Sequence, residues 1–291
     1  MKKPILIVPA SLQISHGFYL INVFGARQVI FPSPMSTVIP SKKLIANTFS
    51  KRASRYGETA FVQRRILQLL IGLIKENLPF DLPLLDAGCG SGPLGTMLQY
   101  EKLPLTLFHA DLAFNTLAKL RTGRPLAVQS DVEALPYKNA VFGGAVSSSV
   151  FQWLDNTEEA ATELRRVLVD DGVLYFSVYL ENSFSQLVAL RRKRGLSIPV
   201  RLFSRDEFEN LLTAVGFASI KTEIIREQYY FSSGRDVIRF LSDSGSTAVS
   251  GKHLGRTELF SLCGEYEDTF STAHGVPLTV HVALGTARKG R

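Results

Sequence analysis

Cysteine is nearly missing from this chain: Cys89 and Cys263 are the only two, and they lie far apart. That excludes a disulfide framework and fits a protein of the reducing cytoplasm. No stretch approaches the roughly 20 consecutive apolar residues of a membrane span, so no membrane association is expected. The five histidines are scattered, and no His/Cys/Glu grouping has ligand spacing, so no metal is expected. Acidic residues are outnumbered, 26 against 33 lysines and arginines, which gives a net charge of +7 and points to an acidic partner. The densest basic run, Arg191-Arg192-Lys193-Arg194, has no interleaved aromatics and no accompanying nucleic-acid motif, so nucleic acid is not the expected partner. There is no internal repeat.

What the chain does have is apolar material: 45% of 291 residues is enough for one large core, or for one domain with a lid. The most informative stretch is Leu84-Leu85-Asp86-Ala87-Gly88-Cys89-Gly90-Ser91-Gly92. Its apolar start reads as the end of a parallel strand buried on both faces. Its glycines allow a sharp turn and a close approach to a ligand. A helical pattern follows from Pro93 to Gln99, so free N–H groups face the turn. Strand, glycine turn and helix together predict a nucleotide-type cofactor site.

Further along, Leu107-Phe108-His109-Ala110-Asp111 is another apolar run closed by an acid, placed where a carboxylate accepts ribose hydroxyls. Asp131 precedes Val132-Glu133-Ala134-Leu135-Pro136-Tyr137, and a further strand-like run spans Ala140 to Ser147. Upstream, Phe61, Ile66, Leu69, Leu70, Leu73 and Ile74 keep helical spacing, until Pro79 and Pro83 break the chain. Downstream, Thr157 is read as the cap of a helix reaching Leu168. Asp170-Asp171-Gly172 then turns the chain into a strand from Val173 to Val178. Ser204 opens another helix, which Gly216 stops. Strands from Ile220 to Phe231 and from Leu278 to Gly285 flank a helical segment of about 35–45 residues.

In order and content these elements resemble the class I S-adenosylmethionine-dependent methyltransferases. The resemblance implies an α/β fold, a Rossmann-like seven-stranded doubly wound sheet with helical lid insertions. Residues 1–41 are then an N-terminal extension, and Met35, just ahead of the first convincing helix, is an alternative start that would make residues 1–34 non-native. Residues 42–83 supply N-terminal helices of the lid. Residues 84–291 form the methyltransferase domain, with insertions near 181–203 and 232–274.

A narrower resemblance, from about Lys42 to Arg288, is to the BioC family of malonyl-acyl carrier protein O-methyltransferases. It is carried by Ala53 to Gln63, by Val150-Phe151-Gln152-Trp153, by Val200-Arg201-Leu202-Phe203, by Gly245 with Gly255-Arg256, and by Pro277-Leu278-Thr279-Val280-His281. The chain departs from the family pattern at Val280, at Leu154 and at Gly245-Ser246-Thr247. The resemblance implies S-adenosylmethionine as cofactor, contacted by Gln63, Asp86, Gly88, Gly90, Asp111, Leu112, Asp131, Val132 and Ser147. It implies methyl transfer to the free carboxylate of malonyl-acyl carrier protein, an early step of biotin synthesis. On the substrate side Tyr56 is expected to close over the methionine portion of the cofactor, and Trp153 to line the acyl pocket. An arginine fork holds a carboxylate bidentately, and Arg201 is the candidate. The carrier protein is acidic, so Arg191 to Arg194 is the expected docking run. Two other readings remain open at this point, a small-molecule methyltransferase and a cofactor-binding assembly protein that transfers nothing. Nucleic-acid methylation ranks lower, because Ser147-Ser148-Ser149 stands where an Asn/Asp-Pro-Pro-Tyr/Phe motif would follow the fourth strand.

Overall fold

Runs of apolar residues long enough to be buried on both faces put parallel strands at the centre of one sheet, and the order of those strands decides where a site can form. The computed structural model describes residues 5–6, 39–59, 61–78, 81–120, 126–198, 200–243 and 254–290, with the backbone alone for 5–6 and 52–59. The expectations placed on Met35, on Gly245-Ser246-Thr247, on the Tyr56 side chain and on most of the 1–41 extension lie outside those described residues.

The strands are β1 (Ile5–Leu6), β2 (Leu84–Ala87), β3 (Leu107–Asp111), β4 (Leu126–Gln129), β5 (Phe142–Ser148), β6 (Leu168–Tyr179), β7 (Phe217–Phe231) and β8 (Val276–Lys289). They lie in the order β1-β7-β8-β6-β5-β2-β3-β4. All seven expected strands are present, and the two-residue β1 adds an eighth by pairing antiparallel with Tyr229 and Tyr230. The pairings from β4 through β6 are parallel, and β8 runs antiparallel between β6 and β7. After β2 the chain winds outward through β3 and β4, then returns to lay β5 on the other side of β2. That reversal opens a crevice beyond the carboxyl ends of β2 and β5, where doubly wound sheets bind ligands.

Helices cover both faces. They are α1 (Lys42–Thr59), α2 (Phe61–Asn77), α3 (Pro93–Tyr100), α4 (Phe114–Leu117), α5 (Thr157–Val167), α6 (Ser185–Lys193), α7 (Arg205–Ala214), α8 (Gly234–Asp243) and α9 (Arg256–Phe270). The helical spacing read upstream of Pro79 is real: α2 buries Val62, Ile66, Leu67, Leu70, Ile71 and Ile74 against the sheet, together with side chains of α3, α6, α8 and α9. The opposite face is closed by Ala160, Ala161, Leu164 and Val167 of α5 and by Phe208 and Leu212 of α7. Each such aliphatic side chain contributes about 1.5–3 kcal/mol when fully buried. No helix among the described residues is long and apolar enough to cross a membrane.

Several local readings shift by a residue or two. Asn156, not Thr157, caps α5, its side chain accepting from the Glu159 N–H at 3.1 Å. Asparagine is as good an acceptor there as threonine, and the two are neighbours. Helix α5 stops at Val167, and Leu168 already pairs with Phe142, so Asp170-Asp171-Gly172 is a bend inside β6, with Asp171 at φ 61°, not a turn before it. Ser204 caps α7 as expected, accepting from Glu207 N–H at 3.0 Å. The Ser/Arg-rich stretch 181–203 holds a helix, α6.

The basic run on α6 is largely committed to the protein itself. Arg191 is buried and its Nε donates to the Ser197 carbonyl at 2.7 Å. Lys193 Nζ and Arg194 Nη2 each lie 2.6 Å from a Glu265 carboxylate oxygen. Lys193 and Arg194 therefore staple α6 to α9, and the carrier-docking role expected of Arg191 to Arg194 is corrected for Arg191, which is buried. A charge run reads as solvated in sequence only because its partner, Glu265, lies on a distant helix.

Candidate active site

At the end of β2 the chain must turn away from the sheet without leaving buried N–H groups unpaired. Gly88 does this at φ +77°, its N–H donating to the Ala110 carbonyl at 2.7 Å, and Cys89 N–H donates to the same carbonyl at 3.1 Å. A Cβ on Gly88 would come within 2.3 Å of Val150 Cγ2, so the position excludes any larger residue. Pro93 opens α3 where its missing N–H costs nothing.

Asp111, at the tip of β3, ties this turn to its neighbour. Its Oδ2 accepts from Gly90 N–H at 2.8 Å, and its Oδ1 accepts from Ala113 N–H at 2.7 Å. Burial pushes the Asp111 pKa above the ordinary carboxylate value, against the lowering effect of these two N–H donors. Asp86 is also buried, and desolvation raises its pKa, opposed by His109. The His109 Nδ1 stands 3.3 Å from Asp86 Oδ2, at ion-pair distance but without hydrogen-bond alignment. Cys89 completes a buried Asp86–Cys89–His109 grouping that no sequence spacing announced. Burial and the neighbouring Asp86 and Asp111 push the Cys89 thiol up, which keeps it protonated, and it is the thiolate that ligates metals.

Asp131 begins the loop that forms the third side. Its Oδ1 accepts from Glu133 N–H at 3.0 Å. The rest of that loop is pinned by α5: Glu163 accepts from Leu135 N–H at 2.8 Å, and Arg166 donates to the carbonyls of Leu135 and Tyr137 at 3.0 and 2.7 Å. Arg166 in turn holds Glu163 at 2.6 Å and lowers its pKa.

Helix α1 supplies the facing wall. Ile45 and Trp153 form a small apolar cluster with Val200, against which Phe49 packs. The Phe49 and Trp153 rings meet edge to face at 5.5 Å. Between this wall and the strand ends runs one cleft, lined by Gln63, Gly88, Gly90, Asp111, Leu112, Asp131, Val132 and Trp153 among others. An adjoining recess, lined by Asp86, shares Gln63, Gly88 and Gly90 with the cleft. Four lining residues carry a buried polar atom with no partner among the described residues: Gln63 Oε1, Ser130 Oγ, Ser149 Oγ and Gln152 Oε1. Unpaired buried polar atoms are costly, so their concentration here marks a place meant for a polar ligand.

Of the residues singled out from sequence, three stand apart. Ser147 is buried behind the lining, which is formed instead by Ser148 and Ser149. Tyr56 belongs to α1, with its side chain outside the described residues. Arg201 does not line the cleft: its Nη2 donates to Glu207 Oε1 at 2.7 Å and its guanidinium stacks 4.9 Å above Phe203. Its backbone N–H still donates to the carbonyl of Gln152, a lining residue, at 3.1 Å. Sequence reading missed Lys42, Ile45, Phe49, Glu133 and Tyr179, all in the lining. For Gln152 a signal existed in the Val150 to Trp153 segment, and for Glu133 in the run that follows Asp131. For the others nothing in the linear pattern places them beside the glycine turn.

Among the described residues the lining holds carboxylates, amides, hydroxyls, the Lys42 ammonium and apolar side chains, and no histidine. Such a site is equipped to hold and align reactants more than to shuttle protons.

Comparisons with known proteins agree with this geometry. A family model described as a methyltransferase domain matches residues 85–176. The chain is 29% identical over 264 residues to a malonyl-[acyl-carrier protein] O-methyltransferase of Geobacter sulfurreducens, covering 85% of this chain and 99% of that protein. It is 29% identical over 271 residues to one of Haemophilus ducreyi, covering 86% and 98%. Among solved structures, the YcgJ protein of Bacillus subtilis superposes with a TM-score of 0.55 at 17% identity, over 76% of this chain and 98% of that one. A SAM-dependent methyltransferase of Thermotoga maritima gives 0.52 at 18%, over 83% and 99%.

Proposed function

Starting from a chain that carries a methyltransferase domain over residues 85–176, we propose that it transfers a methyl group from S-adenosylmethionine to the free carboxylate of malonyl-acyl carrier protein, giving the methyl ester early in biotin synthesis. The observation that carries this reading is one cleft whose lining combines a glycine turn and three carboxylates with the apolar side chains of Ile45, Phe49, Trp153, Leu154 and Tyr179. Similarity along nearly the whole length of two malonyl-[acyl-carrier protein] O-methyltransferases supports the choice of acceptor.

The residues present fit the cofactor. A Cβ on Gly90 would meet nothing within 4 Å, so the turn borders open space, and among the described residues Gln63 Oε1 and Ser130 Oγ have no partner and are available to polar groups. Asp111 Oδ1 accepts from Ala113 N–H and the Thr116 hydroxyl, which leaves Oδ2, with Gly90 N–H as its one donor, free to accept from the ribose. Asp131 and Val132 would flank the adenine, and Gln63 the methionine end. When bound, the cofactor supplies an electrophilic methyl on a sulfonium.

The protein's own work is then to align the acceptor and exclude water. A carboxylate is already a nucleophile, so no general base is required, consistent with a lining without histidine. The apolar side chains strip water from the acyl group. To grip the far carboxylate, Arg201 must exchange Glu207 for the substrate. The pair is partly exposed, at 35% and 43% of the two side chains, so that exchange costs little.

The test is to incubate the full chain with S-adenosylmethionine and malonyl-acyl carrier protein and to weigh the intact carrier. The expected result is a gain of one methyl, absent with acetyl-acyl carrier protein. No gain despite cofactor binding, or methylation of a free metabolite instead, would contradict the assignment.

A further inference from the structure

Lys42 is the first residue of α1, and its ammonium sits between two acids that follow it by about ninety residues. Its Nζ lies 2.7 Å from Asp131 Oδ2 and 2.5 Å from Glu133 Oε2. The Glu133 side chain is only 8% exposed, and its other oxygen accepts from the N–H of Asn156, the residue that caps α5, at 3.1 Å. One lysine thus ties the start of α1 to the loop on the adenine side and, through Glu133, to the start of α5.

The tie spans the cleft. Helix α1 also contributes Ile45 and Phe49 to the lining, on the side opposite Gly88, Asp111 and Asp131. A molecule that fills the cleft from Asp131 to Gln63 therefore lies beneath α1. Lifting α1 away from that molecule parts Lys42 from both carboxylates. Both partners of Lys42 are loop carboxylates that already hold its ammonium, so it acts by positioning and not by chemistry.

We propose that Lys42 is a two-carboxylate latch that holds α1 over the bound cofactor and sets the rate at which the demethylated cofactor leaves. This deepens the methyltransferase reading and rests on it for the identity of the ligand. The arrangement also couples the two walls: the apolar wall that receives the acyl group is in place only when the loop carrying Asp131 and Glu133 is in place beneath it. Partial burial works against the lysine's charge, but hydrogen bonds and charges from Asp131 and Glu133 more than offset this and hold its pKa above the ordinary lysine value.

The experiment is stopped-flow release of S-adenosylhomocysteine from the full chain, comparing wild type with Lys42→Met, Lys42→Arg and Glu133→Gln. The partly exposed pair to Asp131 and the pair to the largely buried Glu133 together predict about tenfold faster release for Lys42→Met. Lys42→Arg should restore near wild-type release, and Glu133→Gln should fall between the two. Glu133→Gln added to Lys42→Met should accelerate release no further for the Glu133 pair, since its partner is already gone. Should Lys42→Met not fold, Glu133→Gln and Lys42→Arg decide the matter alone. A merely structural lysine would lower the melting temperature and leave release unchanged. Unchanged or slower release in Lys42→Met and Glu133→Gln overturns the latch alone, whereas failure of the wild type to bind S-adenosylhomocysteine overturns the methyltransferase reading with it.

Discussion

The two walls of the cleft are held in unlike ways. The wall at the strand ends is made by short-range backbone geometry: Gly88 and Cys89 donate to Ala110, and Asp111 accepts from Gly90 and Ala113, all within the β2–β3 pair and its turns. The facing wall is made by side chains brought together over long distances, Phe49 against Trp153 and Lys42 against Asp131 and Glu133. A backbone-built wall is rigid and ready before any ligand arrives. A side-chain-built wall on a separate helix is replaceable, and its identity decides what enters. The comparison therefore assigns the cofactor's binding contacts to the first wall, and to the second the choice of acceptor together with, through Lys42, the hold on the bound cofactor.

The largest way to break this division is Asp111→Ala. It removes acceptors from two backbone N–H groups and from the ribose, at about 1.5–3 kcal/mol for each bond to a charged group. Calorimetry with S-adenosylhomocysteine should show affinity falling by about a hundredfold or more. An affinity within a few fold of wild type would remove Asp111 from the binding wall.

Acid should separate the two regions next. Burial and the nearby Arg226 depress the His281 pKa from 6.5 to about 4, so the unfolded chain binds a proton there that the folded chain refuses. Its contribution to stability is complete above pH 6.5 and is lost as pH falls towards about 4, on the order of 3 kcal/mol in all. Asp86 and Asp111 act the opposite way: burial raises both, the folded chain takes up their protons more readily than the unfolded one, and acid favours the fold there. Urea unfolding from pH 7 to pH 4 should lose markedly less stability in His281→Gln than in wild type. Parallel profiles would contradict the assignment.

Arg166→Met should follow in size. It removes three hydrogen bonds to the loop of Leu135, Tyr137 and Asn139, one of them to an exposed amide, together with the pair to Glu163. Stability should fall by about 2 kcal/mol, with cofactor KM rising and acyl KM unmoved. A rise in both would mean that the loop serves both walls.

The smallest effect expected is that of Arg201→Ala. If Arg201 releases Glu207 to take the substrate carboxylate, acyl KM should rise about tenfold with cofactor affinity unchanged. An unchanged acyl KM would place the carboxylate elsewhere in the cleft.

How much of this was legible in the sequence follows the same division. The strand of Leu84 to Ala87, the turn through Gly92, and the acids Asp111 and Asp131 were readable, because strand, turn and helix signals are local and their order fixes the crevice. Lys42, Phe49 and Tyr179 were not, because their place depends on how α1 and the end of β6 pack, which periodicity does not encode. Arg201 was readable as a residue type but not in its direction, which Glu207 and Phe203 determine. Arg191 to Arg194 was readable as a basic run, but not the burial of Arg191 or the pairing of Lys193 and Arg194 with Glu265 on a distant helix.

The most direct test is calorimetric titration of S-adenosylhomocysteine into Asp111→Ala and Trp153→Leu, side by side with wild type. The account predicts that Asp111→Ala loses about a hundredfold in affinity while Trp153→Leu stays within about threefold, since Trp153 belongs to the acceptor wall. Comparable losses in both variants would mean that the cleft is one undivided site, and would contradict the division of labour between its walls.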